Sequence, residues 1–347
     1  MLPGFSLLGL FEKRIEGDDC LLELARLRFE QAGMGAEFYA GAPEELDRLL
    51  KFNPRIDVLP VIHLGRGLNL LEDRSRDLIA GFASRFAGRV RGLVLHDQKE
   101  MATRSLDYIH SARELERRLE EVRDGPHVFI EYAVGLEPAE FSEFFRRIQA
   151  LERIGACIDT GHVGIRQARN VYARYHPGED LCSLGGNDSR LFELTEDVEK
   201  AVRSALPAVL RLVADVGALR KPFHLHLHDG HPLSHGSPYG VSDHQSFLTE
   251  IPIDFEYKCR RSVPSMFGPS GLTNIVTAIV QVPSPSTVTA SLEIHPTDGR
   301  LPLEDARSLF PHWQDKTNAE RMNYWLSVLS LNCQWIRKSL ATNSTAQ

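Results

Sequence analysis

The chain has 347 residues, of which 42% are hydrophobic and 25% are charged. This composition excludes a disordered tail protein, a coiled coil and a disulfide-stabilised miniprotein, because a chain of this length can bury a large core. The net charge of −7, from 40 basic and 47 acidic residues, does not favour nucleic acid as a partner. The apolar runs are far shorter than the ~20 residues that a membrane span needs, so no membrane partner is expected.

The cysteines indicate the compartment. Their number is odd, none forms a CxxC pair, and the apolar stretch 1–11 lacks the basic segment and the small-residue cleavage site of a secretory signal. We therefore expect a reducing, cytoplasmic location and interpret the first residues as a strand. The five cysteines are Cys20, Cys157, Cys182, Cys259 and Cys333.

Short apolar runs alternate with segments of helical periodicity along the chain. In the first helix, Asp18 or Asp19 is a suitable N-cap and Gly33 a suitable C-terminal glycine; Pro43 suits the first turn of the second. The predicted strands are 5–10, 36–39, 57–63, 92–96, 128–131, 156–159, 223–228 and 287–293. Further helices are predicted around 78–86, over 104–122, from Pro138 onward, over 196–216, near 272–281 and over 303–340.

This alternation predicts an α/β fold with parallel strands and helical crossovers. Eight repeats in a chain of this length favour a closed (β/α)8 TIM barrel over an open sheet. We predict one domain over 1–340 and a frayed tail over 341–347. Two longer segments, 166–193 and 230–269, follow the sixth and seventh predicted strands, where loops serve as lids or substrate walls.

Six consecutive predicted strands end in a histidine or an acidic residue. The ends of parallel barrel strands face one rim, so these side chains are expected to converge in the mouth of the barrel. Imidazole together with carboxylate suits zinc, manganese, cobalt or iron. Taken singly, such a residue is often an ordinary packed group or a helix cap, and His63, His96 and Asp159 each permit that interpretation. The six residues are His63, His96, Glu131, Asp159, His226 and Glu293.

The seventh predicted strand contains three alternating histidines, which must point to the same side of the strand. We expect His226 to be a metal ligand and His228 to lie beside it or to donate a hydrogen bond to a metal ligand. His224 is expected to pack deeper in the barrel.

The segment 156–162, Ala-Cys-Ile-Asp-Thr-Gly-His, resembles the sixth-strand signature of the xylose isomerase-like barrel superfamily. The pieces 129–131, 226–229 and 292–293 resemble other strands of that superfamily, so the resemblance covers roughly residues 5–300. The superfamily contains sugar isomerases, ketose 3-epimerases, inosose and dehydroshikimate dehydratases, and apurinic endonucleases of the endonuclease IV type. The motif is specific for the superfamily and not for one member.

The resemblance to ketose epimerases implies that one divalent metal is bound by four residues, namely Glu131, Asp159, His226 and Glu293. It also implies that Glu131 and Glu293 transfer protons and that His162, Glu137 and His228 lie near the substrate. Pro232 stands where those enzymes have an arginine.

The resemblance to endonuclease IV implies further metal ligands, namely His63, His96, His162 and Asp243. Gln245 stands where that type has a second loop histidine, and His244 is adjacent. Thr249 and Ile251 replace the expected glycines before Ile253. One or two metals are therefore expected rather than three.

The leading hypothesis is a divalent-metal-dependent sugar or polyol isomerase or epimerase, which removes a proton next to a carbonyl and forms a metal-stabilised enediolate. A multi-metal phosphodiesterase, a metal-dependent oxidase or lyase, and a barrel that binds a ligand without turnover remain alternatives. The metal is Mn, Zn, Co, Fe or Mg, and the partner is a small molecule. The sequence identifies neither the substrate nor whether the protein forms a homo-oligomer.

Overall fold

The computed structural model contains the predicted closed barrel of eight parallel strands. It describes residues 5–11, 15, 17–133, 136–185, 188–233, 244–248, 250–256, 259–282, 288–294 and 319–344. The barrel strands are β1 (Phe5–Leu10), β2 (Gly35–Ala40), β3 (Val61–Leu64), β4 (Gly92–His96), β5 (His127–Glu131), β6 (Ile154–Asp159), β7 (Phe223–Leu227) and β10 (Val288–Leu292). They follow the order β1-β10-β7-β6-β5-β4-β3-β2 and close on themselves. The predicted (β/α)8 fold class is confirmed.

Helices follow most of the strands. They are α1 (Asp19–Ala32), α2 (Pro43–Leu49), α3 (Asp73–Arg85), α4 (Ser105–Glu120), α5 (Pro138–Arg147), α6 (Thr160–Tyr175), α7 (Leu191–Arg203), α8 (Ala205–Gly217), α9 (Gly268–Gln281) and α10 (Ala319–Ser344). Short 3-10 turns occupy Leu50–Phe52, Lys99–Met101 and Leu181–Ser183.

The residues predicted to cap the two ends of the first helix do so in α1. The Asp18 carboxylate accepts hydrogen bonds from the backbone N–H groups of Cys20 at 3.0 Å and Leu21 at 3.2 Å. Gly33 ends the helix with a φ of 63°, a left-handed conformation that glycine adopts without strain.

The predicted helix over 196–216 is wrong in its continuity. The structure has two helices, α7 and α8, separated at Ser204. Pro207 is the third residue of α8 and lacks a backbone N–H, so it is tolerated in a first turn but not in the interior of one long helix.

The two long segments contain more regular structure than predicted. The helix α6 begins directly after β6, with Val163, Ala168 and Tyr172 on its buried face. The second segment contains an antiparallel pair, β8 (Glu250–Glu256) and β9 (Cys259–Pro264). The predicted strand 57–63 begins only at Val61, and the helix α10 continues to Ser344; the frayed tail over 341–347 stays a prediction.

The chain forms two compact units. The first contains 1–159, 212–226 and 279–291, and the second contains 160–211, 227–278 and 292–347. The first unit contains the whole of strands β1 to β6, together with β7 up to His226 and β10 up to Ser291. A single domain over 1–340 stays a prediction.

Each unit has an apolar core. In the first unit, inward-facing side chains from five strands form a layer inside the barrel, namely Leu8, Val61, Val94, Phe129 and Cys157. In the second unit, α6 and α7 share a core that includes Tyr172, Leu191 and Val198. Within the described residues, no helix is both long enough and apolar enough to span a membrane.

Candidate metal centre

The candidate ligands lie directly above the apolar layer of the barrel. His63, His96, Glu131 and Asp159 each stand two residues after a member of that layer, namely Val61, Val94, Phe129 and Cys157. Side chains two apart in a strand point to the same side, so the apolar residues form the floor on which the ligands rest. In β3 to β6 the alternation of the sequence therefore places these polar groups at the end of each strand.

Three of these side chains converge on almost one point. Nε2 of His63 lies 3.1 Å from Oε2 of Glu131, and Nε2 of His96 lies 3.2 Å from the same oxygen. The two imidazole nitrogens are 3.3 Å apart. A metal ion ~2.1 Å from all three atoms would see angles of about 100° between them, between octahedral and tetrahedral values. The triangle therefore fits a divalent cation.

His226 and Asp159 lie beside this triangle. Nδ1 of His226 is 3.4 Å from Oε1 of Glu131, and ligand atoms of His63, Glu131 and His226 all lie within 4.8 Å of one another. Asp159 is fully buried and is the register partner of His226 on the neighbouring strand. Burial alone would raise the pKa of Glu131, but the imidazoles of His96 and His226 hold it well below its usual range.

Glu37 is a site residue that sequence reasoning missed. It is fully buried in β2, and its carboxylate contacts both strand-seven histidines, His224 and His226, at 3.0 Å. Burial opposes ionisation, but these two imidazoles lower the pKa of Glu37. The sequence feature that could have identified Glu37 is the presence of an acidic residue inside the otherwise apolar run Gly35–Ala40. As expected, His224 packs deeper in the barrel than His226.

A histidine cluster occupies the second unit. His162 lies in the first turn of α6, and its ring centroid is 5.4 Å from those of His228 and His244. The rings of His228 and His244 stack at 4.3 Å, and Nε2 of His244 is 3.3 Å from Oε1 of Glu293. His244 has a φ of 57°, which is strained for a residue with a side chain. His244 is therefore adjacent to position 245, where the resemblance to endonuclease IV led us to expect a histidine.

Glu293 directly follows β10. Its backbone N–H donates to the carbonyl of Leu227, the residue after His226, at 3.1 Å. The strand pairing of β10 with β7 therefore continues by one residue.

The start of α6 and the end of β7 are closely packed. The Thr160 hydroxyl donates to the carbonyl of His228 at 2.8 Å and accepts from its N–H at 3.2 Å. A Cβ placed on Gly161 would lie 2.1 Å from the His228 ring. Only glycine fits at 161 while His228 keeps this position.

Asp229 fixes the loop after β7. Its carboxylate accepts backbone hydrogen bonds from Gly230, Phe267 and Gly268, at the start of α9, at 2.8–3.1 Å. Burial raises the pKa of Asp229 to about 7, against the effect of these N–H donors. Its backbone also pairs with Gln245 in both directions, so Gln245 has a structural role.

Two predicted site residues stand apart. Glu137 is the N-cap residue of α5, and its backbone N–H donates to Glu140 at 2.9 Å, so it has a structural explanation besides the predicted contact with substrate. Asp243 lies outside the described residues.

The donor set fits a divalent transition metal. Imidazole nitrogens and carboxylate oxygens, without thiolate at the rim, suit zinc, manganese, iron or cobalt. His63, His96, Glu131, Asp159 and His226 are the residues of the barrel unit that could hold such an ion.

Comparison with solved structures finds distant similarities. A xylose isomerase-like TIM barrel protein from Mycobacterium smegmatis, in complex with magnesium, is 12% identical with a TM-score of 0.46 over 95% of this chain and 98% of that one. A candidate alpha-L-fucosidase from Bacteroides thetaiotaomicron VPI-5482 is 11% identical with a TM-score of 0.42 over 90% and 97%. The carboxyl transferase domain of Rhizobium etli pyruvate carboxylase is 10% identical with a TM-score of 0.40 over 96% and 47%.

No protein-family model and no curated protein matches the chain. The closed barrel of eight parallel strands that the resemblance to xylose isomerase-like barrels implied is present in the structure itself.

Proposed function

We propose that the protein is a metal-dependent enzyme that acts on a small polar substrate, namely a sugar or polyol isomerase or epimerase. The observation that carries the proposal is the layer of imidazole and carboxylate groups at the barrel rim, with ligand atoms 3.1–3.4 Å apart. Barrel enzymes of this architecture carry out their chemistry at that rim.

The first metal would be held by Glu131, Asp159 and His226, with Glu293 as the fourth ligand. The first three lie at the ends of neighbouring strands, where Asp159 and His226 are register partners, and Glu293 directly follows the strand next to β7. The pKa of the buried Glu131 lies well below its usual range because of the neighbouring imidazoles, and its negative charge favours a cation over a neutral ligand.

When bound, a divalent ion polarises a substrate carbonyl and acidifies the neighbouring C–H group. The chain's own contribution is a pair of carboxylates that can remove and return that proton, for which we propose Glu131 and Glu293. Such positioned proton transfer contributes typically ~10²–10⁴-fold to the rate. His162, His228 and Glu137 are proposed to contact the substrate.

A second candidate function is a multi-metal phosphodiesterase or oxidase. It is supported by the triangle of His63, His96 and Glu131, because both oxygens of Glu131 already face imidazoles and the carboxylate is well suited to bridge two ions. The cluster of His162, His228 and His244 in the second unit adds further nitrogen donors.

Metal counting followed by isotope exchange tests the two candidates. Protein purified without chelator is analysed for metal per chain, and the loaded protein is incubated with ketoses, aldoses and inososes in deuterated water. We expect deuterium at the carbon next to the carbonyl, and its loss in Glu293→Gln at unchanged metal content. Turnover of an abasic oligonucleotide or metal-dependent oxygen consumption, without exchange, would refute the isomerase proposal. A cytoplasmic location and a small-molecule partner are part of the same proposal.

A further inference from the structure

A charged group interrupts the apolar floor beneath the ligands. Glu37 is the register partner of Val61, and His224 is the register partner of Cys157, so both stand at the level of the apolar layer. Both are fully buried. A carboxylate at this depth is costly unless every oxygen is hydrogen-bonded, so its presence calls for an explanation.

The Glu37 carboxylate accepts hydrogen bonds from side chains of β7 and β10. Its Oε1 lies 3.0 Å from Nε2 of His226, and its Oε2 lies 3.0 Å from Nε2 of His224. The Ser291 hydroxyl donates to the same Oε2, and the Thr289 hydroxyl lies 2.7 Å from Nδ1 of His224. One assignment of protons satisfies all of these contacts: the Thr289 hydroxyl donates to His224, and both histidines donate from Nε2.

This assignment fixes the tautomer of His226. Nε2 of His226 faces the Glu37 carboxylate at 3.0 Å and donates to it, so Nδ1 is the ring nitrogen left to bind a metal. Nδ1 points to the ligand layer, where it lies 3.4 Å from Oε1 of Glu131. Two electron-rich atoms at that separation match the spacing of neighbouring ligands around one cation at about 2.1 Å.

We infer that Glu37 is a positioning residue that holds His226 with Nδ1 presented to the metal, and that Ser291 and His224 in turn hold the Glu37 carboxylate. The inference rests on the proposed metal-dependent function. A carboxylate behind a ligating imidazole fixes its orientation and raises its basicity, and loss of such a partner typically costs ~10–100-fold in metal affinity.

A different metal position deeper in the barrel, between Cys157, His224 and His226, conflicts with these contacts. Ligand atoms of those residues also lie within 4.8 Å of one another. However, both ring nitrogens of His224 are engaged, Nε2 by Glu37 and Nδ1 by the Thr289 hydroxyl, so this ring has no nitrogen left for an ion there. We therefore interpret Glu37, His224 and Ser291 as support for His226 and not as a second metal site.

The test compares metal affinities of Glu37→Gln and a matched control. Glu116→Gln also removes a buried carboxylate of the barrel unit, one that accepts the backbone N–H of Arg153 away from the ligands. Affinity for Zn²⁺ is measured by competition with a chelating dye. We expect Glu37→Gln to weaken binding about 10–100-fold. Glu116→Gln should stay within about threefold of the unaltered protein.

A spectroscopic measurement separates positioning from general destabilisation. In protein with 15N-labelled histidine, long-range proton–nitrogen correlation, assigned with His226→Gln, reports which nitrogen of His226 carries the proton. We expect protonated Nε2 and zinc-bound Nδ1, and a mixed or reversed state in Glu37→Gln. Equal affinity of Glu37→Gln, or zinc bound through Nε2, overturns the inference while the proposed function stands. Failure of the unaltered protein to bind zinc, manganese, cobalt or iron would instead overturn the proposed function.

Discussion

Replacing Gly161 by alanine gives a prediction whose sign depends on one neighbouring ring. Gly161 is the second residue of α6, and alanine is favoured over glycine in helices by up to ~1 kcal/mol, so propensity alone predicts stabilisation. The added Cβ would lie 2.1 Å from Cε1 and 2.3 Å from Nδ1 of His228. The ring would have to retreat by more than an ångström, but it is fully buried and stacked against His244. Overpacking of this kind costs about 1–3 kcal/mol, so we expect net destabilisation.

A double-mutant cycle with His228→Ala isolates this contact. Once the ring is removed, the methyl group of Gly161→Ala has space, and the substitution should become neutral or slightly stabilising. We therefore expect a coupling energy of ~2–3 kcal/mol between the two sites, as is typical of residues in direct contact. The free energy of unfolding is measured by urea denaturation followed by circular dichroism. An equal cost of Gly161→Ala in both backgrounds would show that His228 does not pack against α6 as described.

Three further predictions concern the ligands and the pH dependence of stability. Asp159→Ala should abolish binding of the first metal, measured by metal analysis, and keep the far-ultraviolet circular dichroism of the folded barrel. The double variant His63→Ala, His96→Ala should retain the first metal, measured by metal analysis; complete loss of metal would show that the primary site has been assigned to the wrong residues. Burial, aided by the charge of Arg91, lowers the pKa of His127 to about 4. Its contribution to stability is therefore present above pH ~6.5 and lost as the pH falls towards 4, by up to ~3 kcal/mol. His127→Gln should flatten this part of the pH–stability profile, and an unchanged slope would contradict the assignment.

The sequence predicted the barrel because its strands repeat one simple pattern. In each of β3 to β6 an apolar residue that faces inward precedes a ligand by two positions, as Phe129 precedes Glu131. This short-range signal needs no knowledge of the partners. It predicted these four strands and the candidate ligands His63, His96, Glu131 and Asp159 at their ends.

The features that sequence reasoning missed depend on contacts between distant segments. In the sequence Glu37 is an isolated charged residue within a strand, because its hydrogen-bond partners His224 and His226 are 187 and 189 residues away. The helix α6 was missed although Val163, Ala168 and Tyr172 carry helical periodicity, because the preceding Asp-Thr-Gly-His was interpreted only as a strand end. The position of His244 follows from the pairing of Asp229 with Gln245, which the order of residues does not reveal.

The closure of the barrel has a consequence for how the protein acquires its metal. The ring closes only when β10 meets β1, and the bond between Glu37 and His226 joins segments 189 residues apart. Contacts of such long sequence separation form late and slowly during folding, since a large loop must be closed first. A nascent or partly unfolded chain therefore has the ligand residues but not the chelating geometry. Binding of the ion would report that both ends of the barrel have joined, and would stabilise the closed ring by mass action.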